Sequence, residues 1–348
     1  MKDKACGAMM GLAVGDALGA PVEFGFSSTA IREEMDRVRH FHDNSEMPKG
    51  VWTDDTAMAL CLADSLLEKG GYDSYDVMEK FCQWEFSGYR SYFPMGYGVG
   101  LQTDTAITRY TEQPVVHLDD ARTDSVGNGC IMRLAPVVIA GYAEGVSQIL
   151  RLARLSCRET HDSIGTVAVT ELMAATLYLL LSGSDKEGLL SKAEKLVTDK
   201  ESVEFLEKIQ DGHQRILEQK GDSLRDLGGY AADCYDIAMW GLMNFDNFQY
   251  GLLGVIGLGG DTDTNGAVYG QLAGAYYGYK VILKEWREGV YLSDEILSLA
   301  ERLFKMQKCP VIRTRFEGEE GFCIKNGAAL AHWDAPLRKA KPGAATGI

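Results

Sequence analysis

Apolar residues recur three and four positions apart along nearly the whole chain, and this helical period is the feature that most limits the fold. Alternation of apolar and polar residues, which is typical of a half-buried strand, is almost missing. Glycines follow several periodic stretches, at Gly70-Gly71 and Gly183, where a left-handed residue commonly ends a helix. We therefore predict an all-α protein. The predicted helices cover residues 3–19, 55–69, 74–87, 100–110, 129–143, 145–157, 163–182, 201–219, 233–243, 263–284 and 293–306.

The chain is predicted to form one domain. Its 348 residues would suffice for two domains of about 150 residues each or for one large helical domain. However, none of the eight prolines falls in a linker-like cluster before residue 310, and no shift in composition marks an interior boundary. We predict a single domain over residues 1–338 and a disordered tail over residues 339–348, which have no apolar period.

The net charge is strongly negative, with 50 acidic and 35 basic residues, a formal charge of −15 and a pI near 4.9. Such a field repels phosphate backbones and anionic lipids, so we expect no broad nucleic-acid binding and no membrane partner. No run of about 18 apolar residues occurs, and Asp16 stands where a signal peptide would need small residues for cleavage. We expect a cytoplasmic monomer.

The eight cysteines lie far apart, without any C-x-x-C pair, unlike a zinc ribbon or a redox motif. Most have apolar neighbours, where a free thiol behaves as a small hydrophobic residue. We predict reduced, buried cysteines, and a nucleophilic or metal-binding role is the less favoured alternative. They occupy positions 6, 61, 82, 130, 157, 234, 309 and 323.

Two segments rich in threonine and aspartate, about 200 residues apart, each precede a long predicted helix: WTDDT at 52–56 and GGDTDTN at 259–265. Either could simply cap its helix, because a side-chain oxygen there accepts an unpaired amide proton. Two such clusters, each with two aspartates and a threonine, make capping alone a weaker explanation. If the two helix starts face each other, they bring four carboxylates and two hydroxyls to one cavity. These groups belong to Thr53, Asp54, Asp55, Asp261, Asp263 and Thr264.

Four clustered carboxylates repel one another and raise one another's pKa values, and two divalent cations would cancel their charge. All the donors are oxygens, so the site should prefer Mg²⁺, followed by Mn²⁺ or Ca²⁺. Zinc and non-haem iron are disfavoured because neither segment contains histidine or cysteine. The sequence predicts a site for two Mg²⁺ or Mn²⁺ ions.

Glycine is frequent, with 39 residues that concentrate in five segments. Clusters beside acidic residues suggest loops around a ligand, and close helix packing is the alternative. For GQLAGAYYG, where Gly270, Gly274 and Gly278 lie four apart, we favour helix packing.

Five motifs, in this order and spacing, make the chain resemble the ADP-ribosylglycohydrolase family over residues 5–285: GLAVGDALGAPVEF, WTDDTAMAL, GNGCIMRLAP, Thr160-His161 and GGDTDTNGAVYGQLAGAYYG. The family includes dinitrogenase reductase-activating glycohydrolases and ADP-ribosyl-acceptor hydrolases. The resemblance implies a compact orthogonal bundle of helices with a dinuclear metal cleft. It also implies a metal-dependent hydrolase that cleaves the bond between ADP-ribose and an acceptor, either a modified protein or a small ADP-ribose conjugate.

The resemblance also assigns roles to individual residues. It implies that the six threonine and aspartate residues named above bind the metals. Glu23 matches a glutamate on a loop that opens or closes over the cleft, and a solvated loop carboxylate is the alternative. Asp16 should support the ligands rather than bind metal. The implied substrate contacts are Gly127, Asn128, Gly129, Met132 and His161.

Cleavage at ribose C1 develops oxocarbenium-like positive charge, which nearby carboxylates stabilise while one of them acts as acid or base. The candidates are Asp54, Asp55, Asp263 and Glu23. Backbone amides of the GNG segment at 127–129 suit a pyrophosphate. An adenine could stack on Tyr97, Phe93 or Tyr92, although simple packing explains these rings equally well.

The acceptor is the least determined feature. Family members that act on ADP-ribosyl-arginine often carry an aspartate in the loop that here reads GYGVG, and this chain has Gly98 instead. The pattern is more similar to the serine-directed branch, so the sequence favours release of ADP-ribose from serine. For an arginine acceptor, Glu85 or Asp104 could take the place of the missing aspartate. Two alternatives to the hydrolase are a non-catalytic, crystallin-like relative and a two-metal enzyme for another ribosyl or phosphate substrate. The presence of all six ligands favours the enzyme.

Overall fold

The computed structural model describes residues 1–25, 27–33, 39–40, 47–114, 116, 126–218 and 227–314. Within these residues the chain is almost entirely helical, as predicted. The α-helices are α1 (Lys2–Gly19), α2 (Ser28–Glu33), α3 (Asp54–Lys69), α4 (Ser74–Ser87), α5 (Leu101–Glu112), α6 (Ala135–Gly141), α7 (Val146–Arg158), α8 (Ile164–Leu181), α9 (Leu189–Glu194), α10 (Lys200–Glu218), α11 (Ala231–Asn244), α12 (Phe248–Ile256), α13 (Thr262–Tyr277), α14 (Lys284–Gly289) and α15 (Ser293–Phe304).

Other regular structure in the described residues is short. Two strands, β1 (Tyr72–Asp73) and β2 (Val311–Arg313), pair in parallel and tie the segment after α15 to the start of α4. Three single turns of 3₁₀ helix cover Ala20–Val22, Tyr142–Glu144 and Tyr279–Val281. The architecture is therefore an all-α bundle, and the predicted tail at residues 339–348 lies outside the described residues.

Helix ends follow local chemistry where the sequence marks them clearly. The α3 helix ends at Gly70, which adopts a left-handed φ of 66°. Asp73 then caps α4, since its side chain accepts hydrogen bonds from the backbone amides of Tyr75 and Asp76. These two signals explain why the predicted bounds 55–69 and 74–87 agree with α3 and α4.

Two predicted helices are too long. The prediction over 129–143 fails at its start because residues 127–134 form a turn, and α6 begins only at Ala135, with Pro136 in its first turn. The prediction over 263–284 fails at its end because Gly278 adopts a φ of 91°, which a right-handed helix cannot continue. The chain then turns once before the separate helix α14.

Glycines bring the main chains of α1 and α13 into direct contact. A Cβ atom at Gly270 would fall on the carbonyl oxygen of Gly11, and one at Gly274 would fall on that of Gly7. The packing explanation of the GQLAGAYYG segment therefore holds for both positions. At the other end of the pair, the Thr262 hydroxyl donates to the carbonyl oxygen of Gly19, 2.8 Å away, which fixes the start of α13 against the end of α1.

The apolar faces of the helices form one hydrophobic core. The segments Lys2–Val22 and Ile164–Leu181 are apolar and long enough to span a membrane, but 89% and 78% of them lie buried inside the protein, as core helices do. Seven cysteines lie in the described residues, and all seven are buried and free of disulfides, as predicted. The eighth, Cys323, lies outside the described residues.

Candidate active site

The two segments rich in threonine and aspartate meet at one point, although they are about 200 residues apart in the chain. Thr53 immediately precedes α3, and its hydroxyl oxygen lies 3.3 Å from Oδ2 of Asp263, in the first turn of α13. The same hydroxyl lies 3.4 Å from Oδ2 of Asp55. The predicted juxtaposition of the two helix starts is therefore present in the fold.

Asp16, near the end of α1, holds this junction together. Its Oδ1 accepts hydrogen bonds of 2.9 Å from both the amide and the hydroxyl of Thr53. Its Oδ2 accepts from the amide and the hydroxyl of Thr56, at 3.0 and 2.6 Å. Both oxygens of the buried carboxylate are thus used to position the first turn of α3, which agrees with the expected supporting role.

Helix capping does not account for these side chains. Thr53 is the N-cap residue of α3 and Asp261 is that of α13, yet neither makes a side-chain capping hydrogen bond to the described first turn of its helix. Asn128 instead donates to Oδ2 of Asp261 at 2.7 Å. Their oxygens are therefore directed to other partners or to the space between the helices.

The carboxylates are crowded and buried, so their charge needs a counterion. Burial first, and the neighbouring carboxylates second, raise the pKa values of Asp54, Asp55 and Asp263 well above the usual range. Burial and the charge of Asp261 raise the pKa of Glu23 to about 7. Bound cations would remove this repulsion and restore the ionised forms.

The arrangement of donor atoms fits divalent cations. One group of carboxylate oxygens comes from Asp16, Asp55 and Asp263, and another from Glu23, Asp261 and Asp263; within each group the atoms lie within 4.8 Å of one another. Oδ1 of Asp55 is buried and has no hydrogen-bond partner among the described residues. Because every donor is an oxygen, these clusters can hold hard divalent cations.

A cavity of about 480 Å³ lies against the acidic cluster and is large enough for a nucleotide-sized ligand. Most residues that the sequence nominated line it, while Thr53 and Asp55 are not among its lining residues. The nominated residues that line the cavity are Glu23, Asp54, Gly127, Asn128, Gly129, Met132, His161, Asp261, Asp263 and Thr264.

The GNG segment and His161 form one wall of the cavity, but Asn128 has a different contact from the one expected. Its amide nitrogen donates to the carbonyl oxygen of Gly228 at 2.6 Å as well as to Asp261. The side chain therefore orients an acidic group of the cluster. Burial, and to a smaller degree the charge of Arg133, lower the pKa of His161 to about 3, so the ring is neutral at physiological pH.

The loop at 92–100 contributes differently from the prediction. Tyr97 is not among the residues that line the described cavity, and its ring stacks on Phe93 with centroids 4.3 Å apart. Gly98 does line the cavity, with a φ of 89°, and a Cβ atom there would lie 2.6 Å from Oδ1 of Asp54. The positive φ and the nearness of Asp54 both favour glycine at position 98, so the acidic cluster offers a second explanation for this residue beside acceptor choice.

Sequence reasoning missed several residues that line the cavity. Tyr230 lies at the rim of the cavity and is 59% exposed. Its main chain forms an isolated antiparallel β-bridge with Gly127, and α11 begins at the next residue. A glycine pair followed by an aromatic residue, Gly228-Gly229-Tyr230, is a signal that could have identified it. The other missed lining residues are Phe24, Gly100, Leu101, Gln102, Thr103, Val126 and Gly229.

An all-α bundle with a buried carboxylate cluster and an adjacent nucleotide-sized cavity suits an enzyme that acts on a nucleotide-linked substrate. Comparison with known proteins gives the family. The model of the ADP-ribosylglycohydrolase family matches residues 1–310. The chain belongs to this family, as its motifs indicated.

Relatives with named activities are similar over most of their length. ADP-ribosylarginine hydrolase Tri1 of Pseudomonas putida (strain GB-1) is 32% identical over 311 residues, which cover 87% of this chain and 78% of the relative. ADP-ribosyl-[dinitrogen reductase] glycohydrolase of Rhodospirillum rubrum is 30% identical over 289 residues, 82% of this chain and 89% of the relative. A solved ADP-ribosylglycohydrolase-related protein complex matches with a TM-score of 0.70 and 36% identity, over 88% of this chain and 99% of that chain.

These matches make the protein an enzyme: a hydrolase that cleaves the glycosidic bond between ADP-ribose and an acceptor. The names of the relatives are those of hydrolases, so they favour catalysis over the crystallin-like alternative.

Proposed function

We propose that this enzyme is an ADP-ribosylarginine hydrolase that uses two Mg²⁺ or Mn²⁺ ions. The observation that carries the proposal is the junction at which Thr53 meets Asp263 beside a nucleotide-sized cavity. Asp263 lies close to Asp55 on one side and to Asp261 on the other, and this central position supports two neighbouring ions rather than one. The free, buried thiols support a cytoplasmic location, and we expect a monomer.

The ligands for the two ions would be Thr53, Asp54, Asp55, Asp261, Asp263 and Thr264. When bound, such ions orient ribose hydroxyls and activate water. Asp16 keeps Thr53 in place, and Asn128 orients Asp261. Asp55 is not among the residues that line the cavity, so its proposed role is to hold cations rather than to touch substrate.

Residues on the cavity surface act on the substrate in this proposal. The carboxylates of Asp54 and Asp263 face the cavity, where they stabilise the positive charge that develops at ribose C1. Glu23 lies at the same surface and is placed to act as acid or base toward the acceptor. Backbone amides at residues 127–129 bind the pyrophosphate, whose charge the side chains of this acidic protein would repel.

Arginine is the preferred acceptor for two reasons. The relatives named as ADP-ribosylarginine hydrolases are 32% identical to the chain over 87% of its length. The preference for serine depends on Gly98 alone, and the nearness of Asp54 gives a second explanation for glycine at this position. Glu85 and Asp104, the expected partners of a guanidinium, are not among the lining residues, whereas the carboxylate of Glu23 lines the cavity and could take this role.

The test is a comparison of linkages under identical conditions. The enzyme with Mg²⁺ or Mn²⁺ is incubated with ADP-ribosylarginine and with an ADP-ribosylserine peptide, and free ADP-ribose is measured. We expect a higher kcat/KM for the arginine linkage. Asp55→Asn should lower turnover by about 10²-fold or more, as loss of a key electrostatic group does.

Glu201→Gln, on the exposed face of α10, serves as the control for loss of a carboxylate and should retain activity. Faster release from serine would overturn the choice of acceptor. Unchanged turnover in Asp55→Asn would overturn the proposed metal site.

A further inference from the structure

Arg133, in the GNGCIMRLAP motif, is a buried cation to which the proposed chemistry gives no role. Its side chain is 0% exposed, and the guanidinium lies 4.7 Å from the ring centroid of Phe81. Its hydrogen-bond acceptors in the described residues are all neutral: Sδ of Met58, the carbonyl oxygen of Ser156 and the hydroxyl of Thr160. Its Nε atom has no partner among the described residues. The charge of the buried Glu159 also acts on Arg133, without a direct hydrogen bond between the two among the described residues. A buried cation whose hydrogen bonds go to neutral groups is costly, so the geometry of those bonds is worth examining.

The contact with Thr160 connects Arg133 to the cavity wall. Nη2 of Arg133 lies 2.6 Å from Oγ1 of Thr160, and a guanidinium can only donate. Oγ1 is therefore the acceptor, which leaves the single hydroxyl proton for another neighbour. That neighbour is Nδ1 of His161, 2.7 Å from Oγ1. When Thr160 donates to it, Nδ1 carries no hydrogen.

The opposite tautomer is disfavoured by the same geometry. A hydrogen on Nδ1 would make Oγ1 accept from both Arg133 and His161, and the hydroxyl proton would then have no acceptor among the described residues. The ring is also neutral, because burial and the nearby guanidinium disfavour a second positive charge. The hydrogen of the neutral ring therefore lies on Nε2.

The Nε2 atom faces the segment that is proposed to hold pyrophosphate. Cβ atoms built at Gly127 and Gly129 would lie 3.3 and 3.1 Å from Nε2, and all three residues line the cavity. A donor at this place would meet an oxygen of the substrate, since phosphate and ribose present acceptors.

We propose that Arg133 is a positioning residue that acts through Thr160 to fix the Nε2–H tautomer of His161, so that the ring presents a hydrogen-bond donor to an oxygen of the ADP-ribosyl group. The claim that His161 donates to the ADP-ribosyl group rests on the proposed function of the cavity. The claim that Arg133 and Thr160 fix the tautomer does not, and the experiment tests the two claims independently.

The tautomer is read directly from nitrogen-15 NMR spectra of histidine-labelled full-length enzyme, with the His161 signal assigned by its loss in His161→Gln. The wild type should show a hydrogen-bearing Nε2 and a bare Nδ1. Thr160→Val should lose this preference, and the conservative variant Thr160→Ser should keep it. Affinity for ADP-ribose, measured by calorimetry, should fall by about tenfold or more in Thr160→Val and remain near wild type in Thr160→Ser.

Thr176→Val is the matched control, because Thr176 is also buried but donates to the carbonyl oxygen of Leu172 inside α8. It should change neither the tautomer nor the affinity. Arg133→Met should also lose the Nε2–H preference. A hydrogen on Nδ1 in the wild type, or an unchanged tautomer in either Thr160→Val or Arg133→Met, would overturn the hydrogen-bond relay from Arg133 through Thr160 to His161. If the variants change the His161 tautomer as expected but the wild type does not bind ADP-ribose, the proposed ligand is wrong and the hydrogen-bond relay is still supported.

Discussion

Replacing Gly266 by alanine should damage the active site, whereas the same change at Gly274 should only destabilise the fold. Both glycines lie on α13 and face glycines of α1. A Cβ at Gly266 would lie 2.5 Å from the carbonyl oxygen of Gly15, and one at Gly274 would come closer still to that of Gly7. The atoms that clash belong to the main chain on both sides, so side-chain rotation cannot relieve either contact.

The magnitudes follow from these distances. A carbon–oxygen contact of about 3.4 Å is normal, so α1 and α13 must separate by about 1 Å at Gly266. Overpacking lowers the free energy of unfolding by about 1–3 kcal/mol. Alanine has a higher helix propensity than glycine, which offsets about 1 kcal/mol of this loss. The net destabilisation is therefore about 2 kcal/mol at most. Gly266 lies about 4.5 Å along the helix axis from Asp263, and Gly274 about 16 Å from it. A displacement of 1 Å at the site costs about 10²-fold in rate.

Urea unfolding should give a loss of up to about 2 kcal/mol for each variant. ADP-ribose release should fall by about 10²-fold in Gly266→Ala and stay near wild type in Gly274→Ala at a temperature where both are folded. Gly141→Ala is the control, because its Cβ would meet side-chain atoms of Ile149 and Leu152 at 3.2 and 3.3 Å, so shifts of a few tenths of an ångström should accommodate it. Equal activities in the Gly266 and Gly274 variants would refute the claim that this helix contact positions the site.

Three further changes test other parts of the structure. Gly98→Ala should weaken Mn²⁺ binding by about tenfold or more, because a Cβ would lie 2.6 Å from Oδ1 of Asp54; wild-type affinity by calorimetry would contradict this. Asp16→Asn should reduce unfolding free energy by about 1–3 kcal/mol, because an amide cannot accept at both oxygens from Thr53 and Thr56; equal urea midpoints would refute it. Burial raises the pKa of Glu159 from 4.5 to about 8, so as the pH rises the unfolded chain loses this proton before the folded protein does. The unfolding free energy of the wild type, compared with that of Glu159→Gln, should therefore fall between about pH 5 and pH 8, by at most about 1.4 kcal/mol per pH unit. Parallel pH profiles of the two proteins would contradict this.

Long helices with marked ends could be predicted because their information is local. The period of 3.6 residues and the left-handed glycine at position 70 set α3 without reference to the rest of the chain. The short helices α9 and α14 were missed because six residues show too little of a period. The helix α12 was missed because the glycines of GLLGVIG suggested a loop, and tertiary packing overrides that preference.

The candidate site was predictable in its chemistry and not in its contacts. Two clusters of carboxylates imply cations whatever the fold, and the geometry of Asp55 and Asp263 fits that inference. The nearness of Gly98 to Asp54 was not predicted, because no local pattern records a contact between segments that folding brings together. The link from Arg133 to His161 was not predicted for the same reason, since it passes through residues brought together by folding.

The most direct test of the account is turnover of ADP-ribosylarginine by enzyme stripped of metal with EDTA and then titrated with Mg²⁺ or Mn²⁺. The account predicts that stripping abolishes release of ADP-ribose and that activity returns as two ions bind per chain. The same additions should raise the melting temperature, because the ions bind only the folded state. Full activity after exhaustive EDTA treatment would contradict the account.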